Sequence, residues 1–272
     1  MLLGIRTLAA IGLASMGCLA GQPKSSLGPP RASRASLAFV SATPRAAELQ
    51  VQHLAVPGFL PAVLVVPAGE APAPLVVAAH GAGGAPEWEC DYWMRLTRGR
   101  AFVLCLRGTR INPRAGFYFR DHHALDAELT SAKAEAFRRF PRIAPGAGIF
   151  AGFSQGASMG ALIVSKHARE LPYVVLIEGF QQWNVALGRR FSAQGGKAVL
   201  LACGTRECAK TAELSEQALR RAGSRVRAAH APGAGHTPAG PVQAMVAASL
   251  PWLTAGDAAW PVMRTGTDPA RE

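Results

Sequence analysis

A serine flanked by glycines is the feature of the sequence that most directly suggests chemistry. The apolar residues 149–151 lead into Gly152-Phe153-Ser154-Gln155-Gly156, and small residues with apolar positions at helical spacing follow. Glycines two positions either side of a serine are typical of a tight turn from a strand into a helix, where side chains would collide. Such a turn exposes the Ser154 hydroxyl at the positive end of the helix, which suits a nucleophile. The alternative is a glycine-rich turn with an idle serine.

A serine nucleophile needs a histidine base, and His236 is the best-placed candidate. It closes the stretch Gly233-Ala-Gly235-His236, directly after the last predicted strand. His80 follows the buried apolar run 74–79, but we expect its ring to bond local backbone. The other histidines lie in strands or in helices: His53, His122, His123, His167 and His230. The sequence therefore favours a pair formed by Ser154 and His236.

Alternating strands and helices must bring these residues together. Continuous apolar runs predict buried parallel strands at residues 74–79, 101–106, 148–151, 173–177 and 198–202, with a last strand at 224–230. An antiparallel pair, 47–56 and 58–67, opens the domain, and helices are predicted at 86–98, 122–140, 157–169, 209–222 and 241–253. The sequence predicts an α/β fold with a mostly parallel central sheet flanked by helices, in a single domain without a large lid. The chemical candidates all follow strands, so they would meet at one edge of the sheet.

Several motifs in this order resemble the α/β-hydrolase superfamily. Gly152-Phe153-Ser154-Gln155-Gly156 is similar to the Gly-Phe-Ser-Gln-Gly of its phospholipase/carboxylesterase branch, and His80-Gly81 and Gly235-His236 resemble two further turns of that branch. The resemblance covers about residues 47–253. It implies that Ser154 is the nucleophile and His236 the base. It also implies that the backbone N–H groups of Ala82 and Gln155 form the oxyanion hole.

The resemblance leaves two carboxylates competing for the acid behind the histidine. The family often keeps an aspartate in a Gly-x-x-Asp turn after the penultimate strand, and Glu207 stands there in Gly204-Thr205-Arg206-Glu207. Some members instead carry the acid after the strand next to the serine strand, which here is Glu178. A carboxylate at the end of so apolar a strand needs a polar partner, and His236 would supply one. We expect Glu207 to be the acid, with Glu178 as the alternative.

The resemblance implies a carboxylesterase-like serine hydrolase that forms an acyl-enzyme on Ser154 and uses neither cofactor nor metal. Its expected partner is a small-molecule ester. The loops 107–120 and 180–191 should overhang the pocket, so we expect Tyr118 and Trp183 to contact the substrate. Two other functions remain open. One is a non-catalytic α/β-hydrolase-fold binding protein of the cell envelope, and the other is a serine peptidase.

The N-terminal residues predict export. Residues 1–20 form a candidate signal peptide, with an apolar stretch at 7–17 that is too short to span a bilayer. Ser15-Met16-Gly17-Cys18 resembles a lipoprotein box, although Ser15 and Met16 depart from it, and lipidation would fall on Cys18. Cleavage after Ala20 by ordinary signal peptidase is the alternative. Residues 21–45 then predict a flexible tether, 46–255 the hydrolase domain and 256–272 a tail. The exported protein would be periplasmic or a membrane-anchored lipoprotein, and free secretion is less favoured.

Cysteine content and charge fit this interpretation. Without Cys18, an even number of cysteines remains as candidates for disulfides: Cys90, Cys105, Cys203 and Cys208. The sequence has no Cys-x-x-Cys, and no histidine stands at ligand spacing from these cysteines, so no metal site is predicted. The net charge of +12 comes mainly from scattered arginines without interleaved aromatic residues. Nucleic-acid binding is therefore not expected, because it needs basic residues clustered on one face.

Overall fold

The computed structural model describes residues 49–260 apart from 113, 114 and 180. The strands are β1 Gln50–Leu54, β2 Ala62–Val66, β3 Leu75–Ala79, β4 Phe102–Cys105, β5 Thr109–Arg110, β6 Phe117–Tyr118, β7 Ile149–Phe153, β8 Tyr173–Ile177, β9 Ala198–Cys203 and β10 Arg225–His230. The helices are α1 Pro86–Leu96, α2 His122–Arg139, α3 Gln155–Ile163, α4 Val185–Ala193, α5 Arg206–Arg221 and α6 Pro241–Leu253, and a 3₁₀ turn, Val164–His167, continues α3. The predicted signal peptide, Cys18, the tether and the tail beyond residue 260 lie outside the described residues.

Eight of the strands form one sheet in the order β1-β2-β4-β3-β7-β8-β9-β10. β2 pairs antiparallel with both β1 and β4, and every pair from β4 to β10 is parallel. The strands β5 and β6 form a separate antiparallel hairpin. The predicted mostly parallel sheet with an antiparallel opening pair is confirmed.

Helices cover both faces of the sheet, which is why its inner strands are apolar throughout. β3, β4 and β8 are buried at every position. One face packs against α1 and α6 through residues such as Trp93 and Val246, and the other packs against α2 to α5 through residues such as Leu129 and Phe191. A strand covered on both sides has no solvent-facing position to fill with polar residues. Because the strands from β4 to β10 are parallel, they all end at the same edge of the sheet, and the polar candidate residues follow them there.

Three segments differ from the sequence-based expectation, and the first is the predicted loop 107–120, which contains the β5–β6 hairpin. Residues 180–191 were expected to be a loop, but α4 begins at Val185 because the Asn184 side chain accepts a hydrogen bond from Leu187 N and caps the helix. Trp260 falls in the predicted tail, but only 7% of it is exposed, and its indole N–H donates to Ala147 O at 2.6 Å. An apolar ring with a satisfied N–H is more stable in the core than in solvent.

The four cysteines of the domain are paired. Cys90 in α1 is joined to Cys105 at the end of β4, with an S–S distance of 2.09 Å. Cys203 at the end of β9 is joined to Cys208 in the first turn of α5. Among the residues that the structure describes, no helix has the length and apolar character needed to cross a membrane.

Candidate active site

Ser154 lies in a strained turn between β7 and α3. Its backbone has φ +51° and ψ −109°, in a region that side chains disfavour, and its N–H donates to Ile177 O at 2.9 Å. Gly152 and Gly156 flank the serine because there is no room for a Cβ atom at either position. A Cβ on Gly152 would stand 2.7 Å from the backbone N of Ala157, and a Cβ on Gly156 would collide with the carbonyl of Ala79. The turn therefore presents the Ser154 hydroxyl at the N-terminus of α3, as the motif predicts.

Ser154, His236 and Glu178 form a continuous hydrogen-bonded chain. His236 Nε2 lies 2.8 Å from Ser154 Oγ, and His236 Nδ1 lies 2.9 Å from Glu178 Oε2. With Nδ1 protonated and donating to the carboxylate, Nε2 is left to accept the serine proton. The three residues come from the ends of β7, β8 and β10, and the His236 side chain is 43% exposed while Glu178 is fully buried. The arrangement has the geometry of a nucleophile, a base and an orienting acid.

The Glu178 carboxylate is held by donors from the turn after β9. Oε1 accepts from the backbone N–H groups of Gly204 and Thr205, and Oε2 accepts from Thr205 Oγ1 at 2.9 Å as well as facing His236. Burial opposes ionisation of Glu178, but these donors outweigh it, so the pKa of the carboxyl lies below its usual value. Glu178 is therefore a carboxylate at neutral pH, which is the form that holds an imidazole in one tautomer.

The expectation that Glu207 is the acid is corrected here. Glu207 is exposed in the first turn of α5, and the carboxylate bonded to His236 Nδ1 is that of Glu178. Thr205 caps α5 by accepting from Cys208 N, so Glu207 stands at the solvent side of the helix start. The turn between β9 and α5 supplies hydrogen-bond donors to the Glu178 carboxylate and not the carboxylate itself.

Ala82, in the turn after β3, and Gln155, the first residue of α3, lie on either side of Ser154. The turn after β3 runs close to the serine, since a Cβ on Gly81 would lie 3.0 Å from Ser154 Cβ. The turn is fixed by Gly83 N donating to Phe117 O at 2.8 Å. Gln155 directly follows Ser154, and its side-chain oxygen accepts from Phe119 N at 2.8 Å. Within the described part of the chain, neither Ala82 N nor Gln155 N donates a hydrogen bond to the protein, which leaves both N–H groups for an oxyanion.

His80 braces the same turn, as the sequence predicts. Its Nδ1 lies 2.7 Å from Gly81 O and its Nε2 lies 3.0 Å from Arg107 O, and its ring stacks on Phe119. Burial lowers the pKa of His80, against the opposing effect of the two carbonyls, so the ring is neutral at pH 7 and donates to one carbonyl at a time. His80 therefore links the end of β3 to the end of β4.

A cleft of about 620 Å³ opens beside the hydrogen-bonded chain. It is bordered by the turn after β3, by Phe153 and His236, and by α1 and α6, which contribute Trp88, Glu89, Asp91, Tyr92, Arg95 and Gln243. The sequence does not predict this helical wall, because helical periodicity places the aromatic residues of α1 together on one apolar face. Trp88 is in fact 68% exposed, and its position one turn away from Tyr92 marks both as cleft residues.

Neither residue expected to contact substrate lines this cleft. Trp183 is only 1% exposed and packs edge-on against Phe191, because α4 folds over the core. Tyr118 is half-buried in the hairpin, where it pairs with Thr109. Both expectations are corrected, since residues of α1 and α6 take the place that those loops were given.

Among the residues that the structure describes, one group of potential metal ligands includes Glu178 itself. Glu178, Cys203 and Cys208 each place a ligand atom within 4.8 Å of the others. The two sulfur atoms are bonded to each other, and both carboxylate oxygens already accept hydrogen bonds. A metal needs thiolates and free carboxylate lone pairs, so this donor set does not fit one.

Comparison with solved structures assigns the fold. No family model matches the chain, and no curated protein matches it. FphF, a fluorophosphonate-binding serine hydrolase of Staphylococcus aureus, matches with a TM-score of 0.59 at 11% identity over 76% of this chain and 98% of its own. A dienelactone hydrolase from Anabaena variabilis matches with 0.54 at 15% identity over 77% and 97%, and esterase PE8 with 0.56 at 21% identity over 74% and 100%. This chain has the α/β-hydrolase fold.

Proposed function

We propose that this chain is a serine hydrolase that cleaves a carboxylic ester through an acyl-enzyme on Ser154. The observation that carries the proposal is the unbroken chain of hydrogen bonds from Ser154 Oγ through His236 to the ionised Glu178. Such a chain has a chemical use only if the serine loses its proton. The names of the structural neighbours, an esterase and a dienelactone hydrolase among them, support hydrolysis of an ester.

In the first half of the reaction, Ser154 Oγ attacks the ester carbonyl while its proton passes to His236 Nε2. Glu178 stabilises the resulting imidazolium through Nδ1. The negative charge that develops on the carbonyl oxygen is taken by the N–H groups of Ala82 and Gln155, and each such donor contributes about 3 kcal/mol to transition-state stabilisation. His236 then returns the proton to the departing alcohol. The acyl group remains on Ser154.

In the second half of the reaction, water takes the place of Ser154 as the nucleophile and hydrolyses the acyl-enzyme. His236 Nε2 takes a proton from the water, and the resulting hydroxide attacks the acyl carbonyl. The carboxylic acid leaves as Ser154 regains its proton. The cleft between α1 and α6 is open enough to admit both ester and water, with Trp88 and Tyr92 offering aromatic surface to the substrate. The exposed His236 and the buried Glu178 suit these reaction steps, because only the base has to reach the substrate.

Hydrolysis of short 4-nitrophenyl esters tests the proposal. We expect turnover of the acetate and butyrate by the wild-type protein and a loss of at least roughly 10³-fold in kcat for Ser154→Ala. Ser158→Ala, one helical turn further along α3, is the matched control and should keep wild-type turnover. Folded protein without turnover of any ester would contradict esterase activity. Binding of a ligand unaffected by Ser154→Ala would then favour a non-catalytic binding protein, and cleavage of peptides alone would favour a peptidase.

We also propose that the enzyme is exported and lipidated on Cys18. The N-terminal motif supports this, and two disulfides in one domain are typical of an oxidising compartment. Cys18→Ser should release the protein from the membrane fraction. If Cys18→Ser and the wild-type protein are found in the same fraction, cleavage after Ala20 is favoured instead. Cys90→Ser is the control, since it leaves the lipidation motif intact.

A further inference from the structure

The Cys203–Cys208 disulfide closes the short loop that holds the acid of the proposed triad. Cys203 ends β9 and Cys208 stands in the first turn of α5, five positions further on. Gly204 and Thr205, which lie between them, supply three of the hydrogen-bond donors to Glu178. The disulfide therefore bounds the segment that orients the carboxylate.

The donors are connected to the disulfide at both ends. Gly204 directly follows Cys203, and its N–H bonds Glu178 Oε1. At the other end, Thr205 Oγ1 donates to Glu178 Oε2 at 2.9 Å and accepts from Cys208 N at 3.3 Å. A shift of Cys208 would therefore move the hydroxyl that shares Oε2 with His236. Both sulfur-bearing residues are 1% exposed, so the loop is covalently fixed within the core and not at its surface.

We propose that the Cys203–Cys208 disulfide is a positioning element for Glu178, so that the hydrolase reaches full activity only after this pair is oxidised. The inference rests on the proposed function, because it acts through the triad. Without the bond, the loop between β9 and α5 gains conformational freedom, and its donors no longer fix the plane of the carboxylate. A misplacement of about 1 Å in such a group costs roughly a hundredfold in rate.

Oxidation of the pair has a simple chemical balance. Two thiols lose two electrons and two protons to a disulfide oxidant, which becomes two thiols, and the S–S bond forms between Cys203 and Cys208. Oxidised glutathione is a sufficient oxidant for the test. Activity would then depend on the compartment in which the chain folds, independently of whether the chain is lipidated.

The second disulfide provides a matched control. Cys90 and Cys105 join α1 to β4 and close a longer loop, with a sequence separation of 15, and neither residue contacts the triad acid. Cys203→Ala/Cys208→Ala should lower kcat on 4-nitrophenyl butyrate roughly tenfold to a hundredfold with little change in KM. Cys90→Ala/Cys105→Ala should lower the melting temperature more and kcat less. The opposite order of kcat values, measured well below both melting temperatures, would overturn the inference.

A double-mutant cycle separates positioning of the acid from general loosening of the fold. In a Glu178→Gln background, Cys203→Ala/Cys208→Ala should change kcat by less than about twofold, because the group on which the disulfide acts is already absent. An equal fold-loss in both backgrounds would overturn the inference. Thr205→Val removes the hydroxyl that both donates to Glu178 Oε2 and caps α5, and it should reproduce part of the kcat loss with both disulfides intact.

A measurement on the wild-type chain covers the case in which the cysteine variants do not fold. Wild-type protein that is unfolded, reduced and then refolded with oxidised glutathione should gain at least roughly tenfold in kcat over protein refolded reduced. The gain should follow formation of the Cys203–Cys208 bond and not that of the Cys90–Cys105 bond, each counted by alkylation and peptide mass. Bond formation without a gain in kcat would contradict the inference while leaving the proposed hydrolase intact. Loss of all ester turnover in the oxidised wild-type protein would instead contradict the proposed function.

Discussion

Ser154 and Glu178 occupy equivalent positions at the ends of neighbouring strands, and both have a positive φ. Phe153 pairs with Ile177 at the ends of β7 and β8, and the residue after each has a positive φ, +51° for Ser154 and +54° for Glu178. Residues other than glycine rarely adopt a positive φ, and each instance costs about 1–3 kcal/mol. The two turns together aim a hydroxyl and a carboxylate toward the same imidazole. The strain is thus located where the proposed chemistry occurs.

The first prediction concerns the identity of the acid. Glu178→Gln should lower kcat roughly 10³- to 10⁴-fold, because an amide no longer selects the His236 tautomer that leaves Nε2 free to accept a proton. Steady-state hydrolysis of 4-nitrophenyl butyrate measures the loss. Glu207→Gln is the matched control and should stay within about twofold of wild type. A larger loss for Glu207→Gln than for Glu178→Gln would reverse the assignment.

The second prediction concerns the glycine after the serine. Gly156→Ala should destabilise the fold by about 2–4 kcal/mol, because the new Cβ collides with the carbonyl of Ala79, and backbone there has no room to move. Urea unfolding followed by tryptophan fluorescence measures the change. Gly58→Ala is the comparison, because Gly58 has φ +83° but nothing within 4 Å of the added carbon. It should cost about 1 kcal/mol, the strain of the conformation alone. Equal costs at both sites would show that crowding is not what excludes a side chain at Gly156.

The third prediction concerns a buried carboxyl in the cleft wall. Burial raises the pKa of Glu89 to about 8, against the lowering effect of a hydrogen bond from Trp93. The folded state therefore holds a proton that the unfolded chain releases near pH 4.5, so the stabilising contribution is complete below that pH and is lost as pH rises through about 8. The free energy of unfolding changes with pH through this group by at most about 1.4 kcal/mol per pH unit.

Glu89→Gln tests this dependence. The variant carries no titrating proton at this position, so its free energy of unfolding should fall less than that of wild type between pH 6 and pH 8. Urea unfolding at each pH gives both curves. Parallel curves for the two proteins would show that Glu89 is already ionised at pH 6 and would contradict the raised pKa. The same variant reports whether the cleft tolerates a neutral amide at this position.

The sequence predicts the sheet, the serine turn and the histidine well because each depends on local pattern. Gly152 and Gly156 are needed by contacts within a few residues of Ser154 or with the next strand, and the motif encodes them directly. The choice between Glu178 and Glu207 is different. It depends on which strand end faces His236, and the order β7-β8-β9-β10 with the capping of α5 by Thr205 decides that. Spacing along the chain carries no such information.

The cleft wall could not be predicted for a similar reason. Helical periodicity groups Trp88, Tyr92 and Trp93 on one apolar face of α1, yet only Trp93 is fully buried. Which residues of that face contact the sheet depends on how α1 packs beside α6, through residues such as Val246. Trp183 shows the converse, since the segment that was expected to be a loop contains a capped helix, and the Trp183 ring just before that helix is buried against its Phe191.

Covalent labelling of the serine tests the central claim most directly. A fluorophosphonate reacts with a hydroxyl only where a neighbouring base and oxyanion donors activate it. Intact mass and peptide mapping of the labelled protein should give one adduct, located on Ser154, and Ser154→Ala should remain unlabelled while Ser158→Ala is labelled as fully as wild type. Folded wild-type protein that takes up no label, or that takes it up at a residue other than Ser154, would contradict the account.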